Sequence, residues 1–257
     1  MGIATRFYPL QFSSSRIPSS VLAKFKPYDE GIHDTKLFRS KSLIGLSKVI
    51  INKFPNGVPI YNMACSYGHE PYSVSLLLAE HLGGLQEVAD KYPIIASDRA
   101  DEIIDTAKSQ ILWIDEDNLD TLKQFKAHEH FINPIKVNDG VNEFQVSDQL
   151  FKTVTFSKGN ILDEVRKLSP NTPVVLLTRN LWYYLDDTTA TNLVFDLNGN
   201  LASGSILSMG NGDSKWHFRG RYTVGDYFAF IDHIFDDISN SLEEKDTFWE
   251  KTTFQKK

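Results

Sequence analysis

Tyr61–Ser73, reading YNMACSYGHEPYS, sits between two segments of different period and decides the fold class. Val58–Ala64 is short and apolar and reads as a strand. Pro71–Leu82 reads as a helix that starts with proline near its first position and stops at Gly83-Gly84. Strand, short loop and helix open a βαβ unit. In such sheets ligands sit beyond the carboxyl ends of the strands, where helix N-termini present free backbone N–H groups. Ala64–Glu70 occupies that position, with Gly68 as its one close-approach residue. It therefore lacks the G-x-G-x-x-G pattern that cradles a dinucleotide pyrophosphate, and a ligand without phosphates fits better.

The alternation continues outward. Tyr92–Ser97 is a second apolar strand ending in Asp98, and Asp101–Leu112 follows with helical periodicity. Further on come a strand at Thr153–Ser157, a loop at Lys158–Asp163, and the Val/Leu-rich strand Pro173–Thr178. A continuous apolar strand implies a sheet covered on both faces. Asp187–Leu197 suits a helix, Asn198-Gly199-Asn200 a turn, and Leu201–Met209 another strand. Residues 113–150 interrupt this order with a polar helix around Leu119–Ala127 and strand-like pieces near Phe131–Val137 and Glu143–Val146, which reads as a small inserted subdomain. Upstream, Leu37–Lys53 has the spacing of a helix packed on a core, and residues 1–34, broken by Pro9, Pro18 and Pro27, read as an irregular arm before one domain over 35–257. The tail suggests a strand at Lys215–Val224 and an amphipathic helix at Asp226–Leu242.

A chain of 257 residues with 41% hydrophobic content is long enough for one large domain. Its apolar runs fall far short of the roughly 18 to 20 residues that span a bilayer. The N-terminus lacks the apolar core of a signal peptide, and the single cysteine, Cys65, agrees with a reducing compartment. These features suggest a cytoplasmic monomer without membrane insertion. The seven histidines lack cysteine or carboxylate neighbours at zinc-ligand spacing, so no metal is expected. The net charge of −6 hides an asymmetry, because residues 1–53 carry nine Lys or Arg against three Asp or Glu. Such a basic front suits an acidic protein surface, or is merely a solvated face. With no aromatic-basic groove motif, nucleic acid is not an expected partner.

Asp98 stands where an acidic side chain can accept both hydroxyls of a ribose, although an aspartate there also serves as a helix N-cap. Taken together, these segments resemble the CheR-type methyltransferases, which transfer methyl from S-adenosylmethionine (SAM) to glutamate side chains of chemotaxis receptors. Cys65-Ser66-Tyr67-Gly68-His69-Glu70-Pro71-Tyr72-Ser73 is similar to the family's opening motif, and Thr35-Lys36-Leu37-Phe38-Arg39 to its upstream threonine, phenylalanine and arginine. Phe156–Leu162 resembles the segment that contacts the adenine, and Arg179-Asn180-Leu181-Trp182-Tyr183-Tyr184-Leu185-Asp186 the pair ending the fourth strand. The likeness runs from about Thr35 to Met209.

The resemblance implies an α/β fold: a Rossmann-like class I SAM-dependent methyltransferase sheet with helices on both faces and a small inserted β-subdomain. In some members that subdomain docks a receptor's C-terminal peptide. It implies SAM contacts at Thr35, Ala64, Cys65, Gly68, Glu70, Asp98, Asn160, Ile161, Asn180 and Leu181, with Arg39 and Tyr184 positioning the reacting groups. The plainer readings are a helix-dipole acid for Glu70, a turn cap for Asn180, a surface arginine for Arg39 and aromatic packing for Tyr184. The implied function is O-methylation of protein glutamates, with a carboxylate-bearing protein as substrate and S-adenosylhomocysteine (SAH) as product. The alternatives are another protein or small-molecule acceptor, or a non-catalytic SAM- or peptide-binding module. Two loop residues depart from the family pattern: Tyr67 replaces a small residue and His69 the first acid of a pair. The front before Thr35 is also shorter than the family's N-terminal helical domain.

Overall fold

The computed structural model describes residues 36–38, 41–115, 119, 122–123, 127–138, 141–210, 213, 217–218, 222–223, 235–239, 242 and 252–257. Its first helix, α1 (Lys41–Lys53), leads through Phe54–Gly57 into strand β1 (Ile60–Met63), helices α2 (His69–Leu82) and α3 (Leu85–Lys91), and strand β2 (Ile94–Asp98). Helix α4 (Asp101–Lys108) precedes three strands, β3 (Ile111–Asp115), β4 (Phe131–Asn138) and β5 (Val141–Val146). The chain continues through α5 (Asp148–Phe151), β6 (Val154–Lys158), α6 (Ile161–Arg166), β7 (Val175–Leu177), α7 (Asp187–Asn200) and β8 (Ile206–Ser208). The described tail holds the short antiparallel pair β9 (His217–Phe218) and β10 (Tyr222–Thr223), then β11 (Phe235–Asp237) and β12 (Thr253–Lys256).

Seven of the described strands form the main sheet, in the order β11-β12-β8-β7-β1-β2-β6. β1 pairs in parallel with β2 on one side and β7 on the other, so the strand order reverses direction at β1. This is a topological switch point, the place where an open α/β sheet leaves a crevice for a ligand. Among the described strands of this sheet, β12 alone runs against the direction of the rest, pairing antiparallel with β8 and β11. Side chains alternate between two cores, as strand pleating requires. Ile60, Val175, Leu177 and Ile206 pack with α1, α2 and α3, whereas Met63, Leu176, Leu207 and Phe254 pack with α6 and α7. Burying each such side chain contributes roughly 1.5–3 kcal/mol, which is why the strands are apolar on both faces.

β3, β5 and β4 make a separate antiparallel sheet inserted between α4 and β6. It begins at Ile111, two residues before the expected insert, because helical periodicity reads on to Leu112 whereas α4 ends at Lys108. Gln110, at φ +61°, turns the chain there. Three other expectations are corrected. The 158–163 loop already contains the start of α6, α7 runs through the supposed turn at Asn198–Asn200, and Phe235–Asp237, expected in a helix, is a strand held by β12. Most of the 119–127 and 226–242 helix expectations lie outside the described residues, as does the 1–34 arm.

Candidate functional site

The β1–β2 ladder continues past the strand end, because Cys65 N–H donates to Ser97 O at 2.9 Å. The loop after β1 therefore leaves the sheet directly beside Asp98. Asp98 Oδ2 accepts from Ser66 N–H and Oδ1 from Ala100 N–H, each at 3.1 Å. One carboxylate thus fastens the loop to the start of α4, and each oxygen keeps a lone pair for a further donor. Ala64 and Ser66 have φ of +57° and +50°. A left-handed conformation costs a non-glycine residue of order 1–2 kcal/mol and persists only where surrounding contacts impose it. Gly68 follows at φ +96°, where a Cβ would lie 3.0 Å from the Phe156 ring and 3.2 Å from that of Tyr72. This is the one loop position that needs glycine for both backbone and space.

Glu70, in the first turn of α2, is held on both oxygens. Oε1 accepts from Asn62 Nδ2 at 2.6 Å, and Oε2 pairs with Arg179 Nε at 3.2 Å. The buried Arg179 also donates to Ser42 Oγ on α1 at 3.2 Å and to Met209 O at 3.3 Å. Past β7, Asn180 takes a left-handed φ of +56°. The fully buried Asp213 pins this turn: it accepts from the N–H of Asn180, from Trp182 N–H at 2.8 Å and from Gly210 N–H at 2.9 Å. Gly210 has no room for a side chain, since a Cβ would lie 2.9 Å from Asn180 Oδ1. Burial pushes the Asp213 carboxyl up to about 7, against the pull of its three donors and Arg179.

The structure brings Ala64, Cys65, Gly68, Glu70 and Asp98 together beyond the carboxyl ends of β1 and β2, with Asn180 and Leu181 just past neighbouring β7. Asn160 is exposed and caps α6, its Oδ1 accepting from Leu162 N–H at 3.0 Å, with the half-buried Ile161 next to it beyond β6. The partly exposed Tyr184 ends the short 3₁₀ turn Trp182–Tyr184, its ring 4.2 Å from that of Tyr183. Thr35 and Arg39 lie outside the described residues. Cys65 is buried, and burial above all raises its thiol well above the usual range, which makes it an inert part of the loop.

Sequence reasoning missed Asn62, Arg179 as a hub, and Asp213. Asn62, a polar residue inside an apolar strand, was the available signal. Its Oδ1, together with Ser66 Oγ, Tyr72 Oη and Trp113 Nε1, is buried without a partner in the described structure. Such atoms mark places where a polar ligand or water completes the site. Among the described residues no group of three or more His, Cys, Asp or Glu could hold a metal ion, and no helix is long and apolar enough to cross a membrane.

A family model for the CheR methyltransferase, SAM binding domain, matches residues 33–224. The chain is 28% identical over 175 residues to the chemotaxis protein methyltransferase of Borreliella burgdorferi, covering 68% of this chain and 59% of that one. It is 29% identical over 191 residues to chemotaxis protein methyltransferase 2 of Vibrio cholerae, covering 71% and 62%. This chain thus spans about three fifths of the length of these relatives. A solved TehB-like SAM-dependent methyltransferase from Corynebacterium glutamicum aligns at 13% identity and a TM-score of 0.42, over 83% of this chain and 88% of that one.

Proposed function

The chain belongs to the CheR methyltransferase family, whose SAM-binding domain it carries over residues 33–224, and from that premise we propose that it methylates glutamate carboxylates of a protein. The observation that carries this reading is Asp98, an acid at the carboxyl end of β2 that is hydrogen-bonded to the loop after β1. Asp98 receives the ribose hydroxyls of SAM. Asn160 and Ile161 flank the adenine, and the Glu70–Arg179 region with Asn180 and Leu181 receives the methionyl end. The unpartnered Asn62 Oδ1 and Ser66 Oγ fit a ligand rich in amino and hydroxyl groups.

Bound SAM supplies an electrophilic methyl on a sulfonium centre. A glutamate acceptor, with an ordinary pKa near about 4.3, is ionised at neutral pH and needs no general base. The chain's work is to orient the two reactants and exclude water. Tyr184, on the partly exposed turn after Asn180, and Arg39 orient the acceptor carboxylate. In the inserted sheet, β4 is an outer strand with exposed Ile132 and Ile135, which suits strand addition by a peptide of the substrate protein.

The test combines calorimetry with SAH and transfer of labelled methyl from SAM to a chemoreceptor signalling fragment. Binding, followed by label that alkali releases, supports the proposal, since methyl esters hydrolyse readily. Asp98→Ala should weaken SAH binding by about 10- to 100-fold, the loss expected for hydrogen bonds to a charged acceptor. No SAH binding at millimolar concentration would sink the proposal. Binding accompanied only by alkali-stable label would assign a different acceptor.

A further inference from the structure

Tyr67 and His69, the two residues at which the loop departs from the CheR motif, meet one residue of the inserted sheet. The carbonyl oxygen of Trp113, on β3, lies 2.7 Å from His69 Nε2. A carbonyl only accepts, so Nε2 carries the hydrogen. The Trp113 indole meets the Tyr67 ring edge to face, with centroids 5.6 Å apart and planes at 85°. The same apolar cluster takes in Ala100 and Ile103 at the start of α4, next to Asp98.

These contacts belong to a closed ring. Two residues beyond Trp113, Asp115 pairs with Lys36 at 3.3 Å. From there Phe38 N–H donates to Ser73 Oγ at 2.8 Å, and Ser73 Oγ donates to His69 O at 2.7 Å. The start of α2, the segment leading into α1 and β3 are thereby joined around the loop. A small residue at 67 could not reach the indole. An acid at 69 would set a carboxylate against the Trp113 carbonyl, two acceptors with no hydrogen between them. Both departures therefore make contacts that exist only with the inserted sheet in place.

We propose that Trp113 is a positioning residue for SAM binding, fixing the strained 64–68 loop from the inserted sheet while Asp98 fixes it from the main sheet. Ala64 and Ser66 sit in left-handed conformations that need restraint from outside; Ser97 O holds Cys65 and Asp98 holds Ser66, and neither reaches the residues that follow. Trp113 restrains those following residues, through Tyr67 and His69. The inserted sheet is thus part of the SAM site as well as a neighbour of it. The inference rests on the reading of this loop as the SAM site.

The experiment uses the whole chain, with SAH affinity by calorimetry, KM for SAM, kcat and melting temperature measured together. Trp113→Leu and His69→Ala should each weaken SAH binding about tenfold, the equivalent of one or two hydrogen bonds of ordinary strength, with the loss in KM and little change in kcat. His69→Gln keeps a side-chain donor and should recover most of the affinity lost in His69→Ala. Phe144→Leu, on the opposite face of the inserted sheet, should lower the melting temperature and leave SAH affinity unchanged. If wild type binds SAH and both Trp113→Leu and His69→Ala bind it equally well, or Phe144→Leu weakens it as much, the inference is overturned while the SAM site stands. If Trp113→Leu does not fold, the His69→Ala and His69→Gln pair decides. A wild type that binds no SAH overturns both.

Discussion

Asp213 takes three backbone hydrogens on two oxygens in a site closed to water. Truncating it to alanine strands three buried N–H groups at about 1–3 kcal/mol each, so Asp213→Ala should lose several kcal/mol in urea denaturation. Asn180 should also lose its left-handed turn, weakening SAH binding. The residue has a second signature. Burial raises its carboxyl from an ordinary 3.8 to about 7, so the folded state holds the proton more tightly than the unfolded chain between those values. Its contribution to stability is therefore complete below about 3.8 and lost as pH rises to about 7. Denaturation between pH 5 and 8 should show wild type losing stability more steeply than Asp213→Asn, and parallel curves would refute the assignment. None of this was legible in the sequence, where Asp213 is one acid in a polar tail and its partners lie at Asn180, Trp182 and Gly210. The places of Asp98 and Glu70, at a strand end and in a first helical turn, were legible because the apolar periods on either side mark those boundaries.

Among the elements, α6 joins a structural role to a proposed functional one in a single side chain. Asn160 caps this helix, and an N-cap asparagine replaced by alanine costs about 1 kcal/mol. Asn160→Ser and Asn160→Asp preserve the cap but remove the amide. If Asn160 also contacts the adenine, all three substitutions should weaken SAH binding and only Asn160→Ala should lower the melting temperature as well. Unchanged SAH affinity in Asn160→Ser would reduce the residue to a cap. Cap chemistry also explains which boundaries were legible. Gly83 closes α2 at φ +86°, as its type announces. Gln110 does the same work between α4 and β3 at φ +61° with no such signal, so Ile111 and Leu112 passed for further helix. Phe235–Asp237 was read from local periodicity alone, whereas its strand exists through pairing with Phe254–Lys256.

At the scale of the whole molecule, Arg179 ties the switch point together, reaching α1 through Ser42, α2 through Glu70, and the chain beyond β8 through Met209 O. The main-sheet order was legible only as far as alternating apolar strands implied parallel neighbours. That β1 lies between β2 and β7 depends on long-range pairing that no single segment encodes. The Glu70–Arg179 pair belongs to that hidden level, because its residues lie on α2 and just past β7. With side-chain exposures of 16% and 2%, Glu70 is nearly and Arg179 wholly withdrawn from water, so removing one partner is expected to matter more than the pair's own attraction. Glu70→Gln should cost about 3 kcal/mol, since it leaves a buried guanidinium without its counter-charge. Replacing both, as Glu70→Gln with Arg179→Met, should recover a large part of that loss, because no uncompensated charge remains. SAH binding should not recover with stability, as the double variant still lacks the charged pair at the crevice. Urea denaturation and calorimetry on the same samples separate the two effects, and a double variant no more stable than Glu70→Gln would show that Arg179 acts through its other contacts instead.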